Sequence, residues 1–252
     1  VVKRVMEQTT GATCLFLQGA AGNIGPVRGG ARNGLNEYKR LGQILGHEAS
    51  KVWWEIEVPP RQERYTGMLE SGAPLAMYAD DPIQELEAML RVATCPMHLP
   101  IKDLPDPTQL EADLSTHVER LNVLRTSGGS EEDIIHETMS AKRAKMRADI
   151  ANELRDQTHR VFEAQAFAIG DDIALVGIPG EPFVEIGLQI RQRSPFKHTL
   201  FSGYSNVGWA YIPMPDAYPL GGYEVEITPF GPEAAGQVIG DNLALLNQLA
   251  SS

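Results

Sequence analysis

Apolar residues recur along this chain with two different periods. Residues 13–18, Thr-Cys-Leu-Phe-Leu-Gln, are a short β-prone run that stops at a glycine-rich turn, residues 19–26. They predict a buried strand feeding a loop. Leu41, Ile44, Leu45, Ala49 and Val52 follow Asn36, a candidate cap, at helical spacing and predict a helix that ends before Pro59 and Pro60. Residues 60–81 carry weak, loop-like signals. Pro100, Pro105 and Pro107 make residues 97–107 an extended surface connection. Leu110, Leu114, Val118, Leu121 and Leu124 then mark a polar helix. Ser130, followed by Glu131, Glu132 and Asp133, opens a longer helix reaching about His159. Both are charged on most faces and predict a solvated helical hairpin inserted over about residues 108–160. Residues 164–169 and 173–178 read as two strands joined by the turn Gly170-Asp171-Asp172. A helix over 182–193, a short strand over 199–202, an irregular stretch over 203–230 and an amphipathic helix over 233–249 complete the chain. These elements predict an α/β fold, a mixed central sheet with flanking helices and the hairpin as an excursion, forming one domain over residues 1–252.

Composition narrows the class. The chain has 252 residues, 42% of them hydrophobic and 22% charged, which excludes global disorder. Thirty-three acidic against 22 basic residues give a net charge of −11, so nucleic acid is not an expected partner. No apolar run reaches the roughly 20 residues that span a bilayer, so no transmembrane segment is expected. Cys14 and Cys95 cannot form a disulfide framework and read as small buried hydrophobes. The chain starts at Val1, in what reads as the tail of a helix already under way. An N-terminally truncated domain is therefore expected, with exposed strand edges and apolar surface, and any secretion signal would lie upstream.

Three loops can carry chemistry: residues 19–26, 179–183 and 206–224. The first two follow apolar strands, where α/β folds place their ligands. Glu181 falls between a strand end and a helix N-terminus; as a metal ligand or as a simple cap, it is equally well explained. Four of the seven tyrosines, Tyr204, Tyr211, Tyr218 and Tyr223, cluster in the irregular stretch over 203–230. The glycine loop lacks the Gly-Lys-Ser/Thr of a phosphate-binding loop and is not a dinucleotide fingerprint. None of the six histidines stands in a metal-binding pair, and no Gly-x-Ser-x-Gly elbow exists.

Taken together, residues 16–26 (Phe-Leu-Gln-Gly-Ala-Ala-Gly-Asn-Ile-Gly-Pro), Ile178-Pro-Gly-Glu-Pro-Phe183, and Asn206 through Tyr211, Tyr218 and Tyr223-Glu224 resemble the neutral/alkaline (non-lysosomal) ceramidase family. The likeness is to the C-terminal part of the catalytic domain of the shorter bacterial and fungal relatives. It implies a zinc-dependent hydrolase of N-acylsphingosine or a related N-acyl amide lipid, secreted in many members of the family. It implies Glu181 and Tyr211 as zinc ligands and Gly22, Asn206, Tyr218 and Tyr223 as substrate contacts. The family's two zinc histidines have no counterpart here, so the zinc site in this chain would be incomplete. The family's Gly-Asp-x-Ser-Pro nucleophile motif is Gly22-Asn23-Ile24-Gly25-Pro26. Asn23 and Gly25 occupy the catalytic loop without a nucleophile, which leaves a zinc-bound water as the attacking group. The alternative is a non-catalytic descendant that binds a ligand in the old cleft.

Overall fold

The computed structural model describes residues 1–25, 34–56, 62–70, 72–81, 89–206 and 210–252. The chain forms two compact units, one of residues 1–16 and 26–88, the other of residues 17–25 and 89–252.

The smaller unit holds α1 (Val2–Thr10), α2 (Gly34–Glu55) and an antiparallel hairpin of β1 (Gln62–Leu69) and β2 (Leu75–Asp81). The two helices meet through small residues. A Cβ added at Gly46 would stand 2.6 Å from Val5 Cβ, and one at Gly42 would stand 2.5 Å from Val1 Cβ. Only glycine admits this approach, and Ser50 extends the stripe by donating to the Gly46 carbonyl at 2.8 Å. The packed face of α2 is therefore Gly42, Gly46 and Ser50. The apolar repeat of Leu41, Ile44, Leu45 and Val52, whose spacing predicts the helix, is exposed. β1 and β2 pair within residues 60–81, where loop was expected; Tyr65 meets Tyr78 edge-on at 5.9 Å across them. Residues 13–18 form no strand, and Leu15 is 85% exposed: an apolar run becomes a buried strand only where a ladder and a second layer receive it.

The larger unit is built on a four-stranded sheet ordered β3-β4-β5-β7. Its strands are β3 (Leu90–Pro100), β4 (His159–Ile169), β5 (Ile173–Gly177) and β7 (His198–Ser202). The first three pair antiparallel, whereas β5 and β7 run parallel. β3 falls across the expected surface connection. Its prolines, Pro96 and Pro100, are tolerated because β3 is an edge strand whose outer side needs no ladder. Side chains alternate across the sheet. Met97, Leu99, Phe162, Ala164, Ala166, Ala168, Ala174 and Val176 are buried on one face. The row of alanines lets α7 (Ala234–Ala250) lie close, with Val238, Leu245 and Leu246 fully buried against it. Val92, Val161 and Leu200 stay exposed on the other face.

Between β3 and β4 the chain forms the expected hairpin of α3 (Pro107–Thr126) and α4 (Glu131–Leu154). Asp106 caps α3 and Ser130 caps α4, each side chain accepting a backbone N–H of the first turn. Ala141, Ala144, Ala148 and Ala151 are the buried stripe of α4. The segment after β5 contains β6 (Glu181–Pro182), α5 (Val184–Arg193) and, beyond β7, β8 (Tyr211–Ile212). A 3₁₀ turn (Pro215–Leu220) and α6 (Tyr223–Ile227) then lead into α7, ordering much of the stretch expected to be irregular. The α/β class, the mixed sheet and the helical excursion stand as expected.

Candidate functional site

Beyond the sheet the chain brings its three candidate loops together. β6 and β8 pair in parallel, with Glu181 opposite Tyr211, and the Glu181 N–H donates to the Ala210 carbonyl at 2.8 Å. The Tyr204 N–H donates to Gly180 at 2.9 Å, and the Gly22 N–H donates to Pro182 at 2.8 Å. One short turn thus receives backbone bonds from, or donates them to, both of the other loops. Gly22 is required for this. A Cβ there would overlap the Glu181 carbonyl oxygen and stand 3.0 Å from that of Pro182.

The result is a cleft of about 490 Å³ lined by Gly22, Asn23, Gly25, Glu181, Tyr204, Tyr211 and Glu224, among others. Among the described residues, no Lys or Arg lines it, and two carboxylates face two phenols. The phenols respond. Burial, then hydrogen bonding to Glu181, then its negative charge push Tyr211 well above the ordinary phenol range. The same causes in the same order push Tyr204 up to about 12. Both therefore stand as neutral O–H donors at neutral pH, and a positive ion would reverse the electrostatic part of the shift. Tyr223 packs edge-on against Tyr211 at 6.0 Å, and Arg143 lies over the outer ring of Tyr223 at 5.9 Å.

Other expected residues take different places. Asn23 clips its loop to α5: the Val184 N–H donates to its Oδ1 at 2.8 Å, and its Nδ2 donates to Glu185 at 2.9 Å. Phe183 offers α5 no side-chain cap, so Asn23 supplies one from a distant loop. Gly25 lines the cleft with backbone only. Tyr218 points its hydroxyl at the Phe230 carbonyl, 2.9 Å away, which anchors the 3₁₀ turn to the core. Asn206 has φ of 65°, between Tyr204 at 55° and Ala210 at 57°; these are the non-glycine residues with positive φ among those described. Strain of this kind concentrates where surrounding structure holds a functional loop. Tyr204 and Glu185 were not singled out as site residues; the spacing of Tyr204 two residues before Asn206 was the available signal.

No protein-family model matches the chain, and no characterised protein matches it by sequence search. Solved structures similar to it include two ceramidases. The neutral ceramidase from Pseudomonas aeruginosa aligns over 96% of this chain and 38% of its own, at 17% identity and a TM-score of 0.49. A ceramidase complexed with C2 aligns over 36% of this chain and 15% of its own, at 26% identity and a TM-score of 0.34. The chain spans well under half the length of either.

The zinc that the sequence resemblance implies fits this cleft only in part. Glu181 and Tyr211 lie side by side, as two of its ligands would. Among the described residues, however, no group of three or more His, Cys, Asp or Glu side chains is gathered closely enough to hold a metal ion. A catalytic zinc takes three protein ligands and an open position. His117 and His136 belong to the helical hairpin and His98, His159 and His198 to β3, β4 and β7, and none of these five lines the Glu181 cleft; His47 belongs to α2 of the smaller unit. Among the described residues, no helix is long and apolar enough to cross a membrane.

Proposed function

We propose that this chain carries part of the active site of a ceramidase-type N-acyl amide hydrolase. Its two compact units would belong to one catalytic domain, and Glu181 and Tyr211 would be two ligands of an incompletely represented zinc site. The observation that supports this most is the convergence of the three resembling loops on one acidic cleft, with Glu181 and Tyr211 in register across β6 and β8. In such a cleft the neutral phenols of Tyr204 and Tyr211 donate to Glu181 and leave their oxygens to accept from a substrate's amide N–H or hydroxyl groups. Glu181 is the acceptor that fixes their orientation, and Gly22 and Gly25 let the backbone approach a linear substrate closely. Asn23 acts through α5, as a positioning residue for the loop. N-acylsphingosine and related N-acyl amide lipids are the proposed substrates.

The test is hydrolysis of N-acylsphingosine by the native protein, followed as release of the free fatty acid. Glu181→Gln and Tyr211→Phe should each reduce turnover by about 100-fold or more while leaving folding intact. Turnover that survives both substitutions would refute the proposed site.

A second reading is favoured by one observation: Gly25, at the nucleophile position, presents no side-chain oxygen to the cleft. Under it the cleft binds an amide lipid without cleaving it. Saturable binding with no fatty acid released, by a native protein that holds zinc, would select this reading.

A further inference from the structure

A second cavity, about 340 Å³, opens at the base of the helical hairpin between the start of α3, the C-terminal part of α4 and the end of α6. Two cations reach it, Lys102 from the segment after β3 and Arg147 from α4, while Leu104, Leu110 and Ile150 form an apolar wall. Lys102 is half-buried and donates to the Val225 carbonyl at 2.7 Å. Among the described residues, no carboxylate lies within 4 Å of its ammonium. The closest carboxylate to Arg147 is that of Asp113, at 3.9 Å. Glu226 and Asp103 also line the cavity, but the Glu226 carboxylate is turned to Arg143 at 3.6 Å. Burial, and after it the positive charge of Arg147, hold Lys102 below the ordinary lysine range; Glu226 opposes this only in part.

Like charges beside one another in a partly desolvated cavity are relieved by an anion. The two acids at the rim disfavour a dianion. The planar guanidinium fork suits a carboxylate, and the apolar wall suits a hydrocarbon tail. We propose that this cavity binds an aliphatic carboxylate, its head between Lys102 and Arg147 and its tail along Leu104, Leu110 and Ile150. This does not rest on the proposed hydrolase activity, since none of these residues lines the Glu181 cleft.

The experiment is a calorimetric titration of the whole chain with octanoate, below its micelle concentration, run beside n-octylamine and inorganic phosphate. Octanoate should bind saturably and one-to-one, phosphate more weakly, and octylamine not at all. Lys102→Met and Arg147→Gln should each weaken octanoate binding about tenfold, as expected for loss of a charged hydrogen-bond donor. Lys102→Met also removes the bond to Val225, so loss of binding there could reflect a loosened α6. Glu226→Gln separates the two, because removing an opposing charge should tighten octanoate binding about threefold. Absence of octanoate binding, equal binding of octylamine or phosphate, or no gain in Glu226→Gln would each overturn the proposal.

Discussion

In the larger unit Met97, Leu99, Val238, Leu246 and Phe230 are fully buried between the sheet and α7. In the smaller unit only Val5, Gly46 and Ser50 are buried among the described residues. Yet the smaller unit is no poorer in apolar residues: Leu41, Leu45, Val52, Trp54, Met68, Leu75 and Tyr78 are all exposed there. Apolar periodicity states which residues can share a face, whereas burial requires a second layer opposite that face. The sheet supplies such a layer to α7. In the smaller unit α1 covers α2 along its glycine stripe, and the leucine stripe is left to solvent.

The comparison can be broken by substitution. Phe230→Ala, which empties a site where Phe230 meets Phe162 edge-on at 5.7 Å, should destabilise the larger unit by about 3–5 kcal/mol in chemical denaturation followed by circular dichroism. Gly22→Ala should cost about 1–3 kcal/mol, because the added methyl meets backbone oxygens that cannot turn away. It should also detach the loop from the Glu181 turn, seen as faster exchange of the backbone amide at position 22 than in the native chain. A smaller effect belongs to pH. Tyr204 titrates at about 12 in the folded chain against 10 as an ordinary phenol, so the unfolded chain gives up that proton first. Its contribution to stability is complete below pH 10 and falls as pH rises towards 12. Phenolate absorbance should show this late ionisation, and Glu181→Gln should bring it part of the way back, because burial, the larger cause, remains. The smallest effect is expected at Leu45→Ala in the smaller unit, within about 0.5 kcal/mol, since the side chain is already in water. A loss at Leu45 comparable to that at Phe230 would show that the leucine stripe is covered in solution and would overturn the comparison.

What could be read from the sequence follows the same division. The helical hairpin was legible because its caps, Asp106 and Ser130, act on their own first turns. The β4–β5 hairpin was legible because Gly170 closes it locally. β3 was hidden by prolines that are harmless only on an edge, a property set by the partner strands. β1 and β2 were hidden because neither shows a clean alternation of burial, most of both being exposed. In the site, the pairing of the Pro-Gly-Glu turn with Tyr211 was legible only through the family resemblance, since the residues alone left Glu181 equally well explained as a cap. The roles of Asn23 and Tyr218 were not legible, because their hydrogen bonds join residues far apart along the chain or across the core.

The most direct measurement is a zinc-binding isotherm on this chain, beside Glu181→Gln and Tyr211→Phe. A carboxylate and a phenol side by side, short of the three protein ligands of a complete site, should hold zinc weakly, with the metal removed by dialysis. Each substitution should weaken it about tenfold further. Zinc retained in stoichiometric amount through dialysis, or an affinity indifferent to Glu181 and Tyr211, would contradict the assignment of this cleft as part of a zinc site.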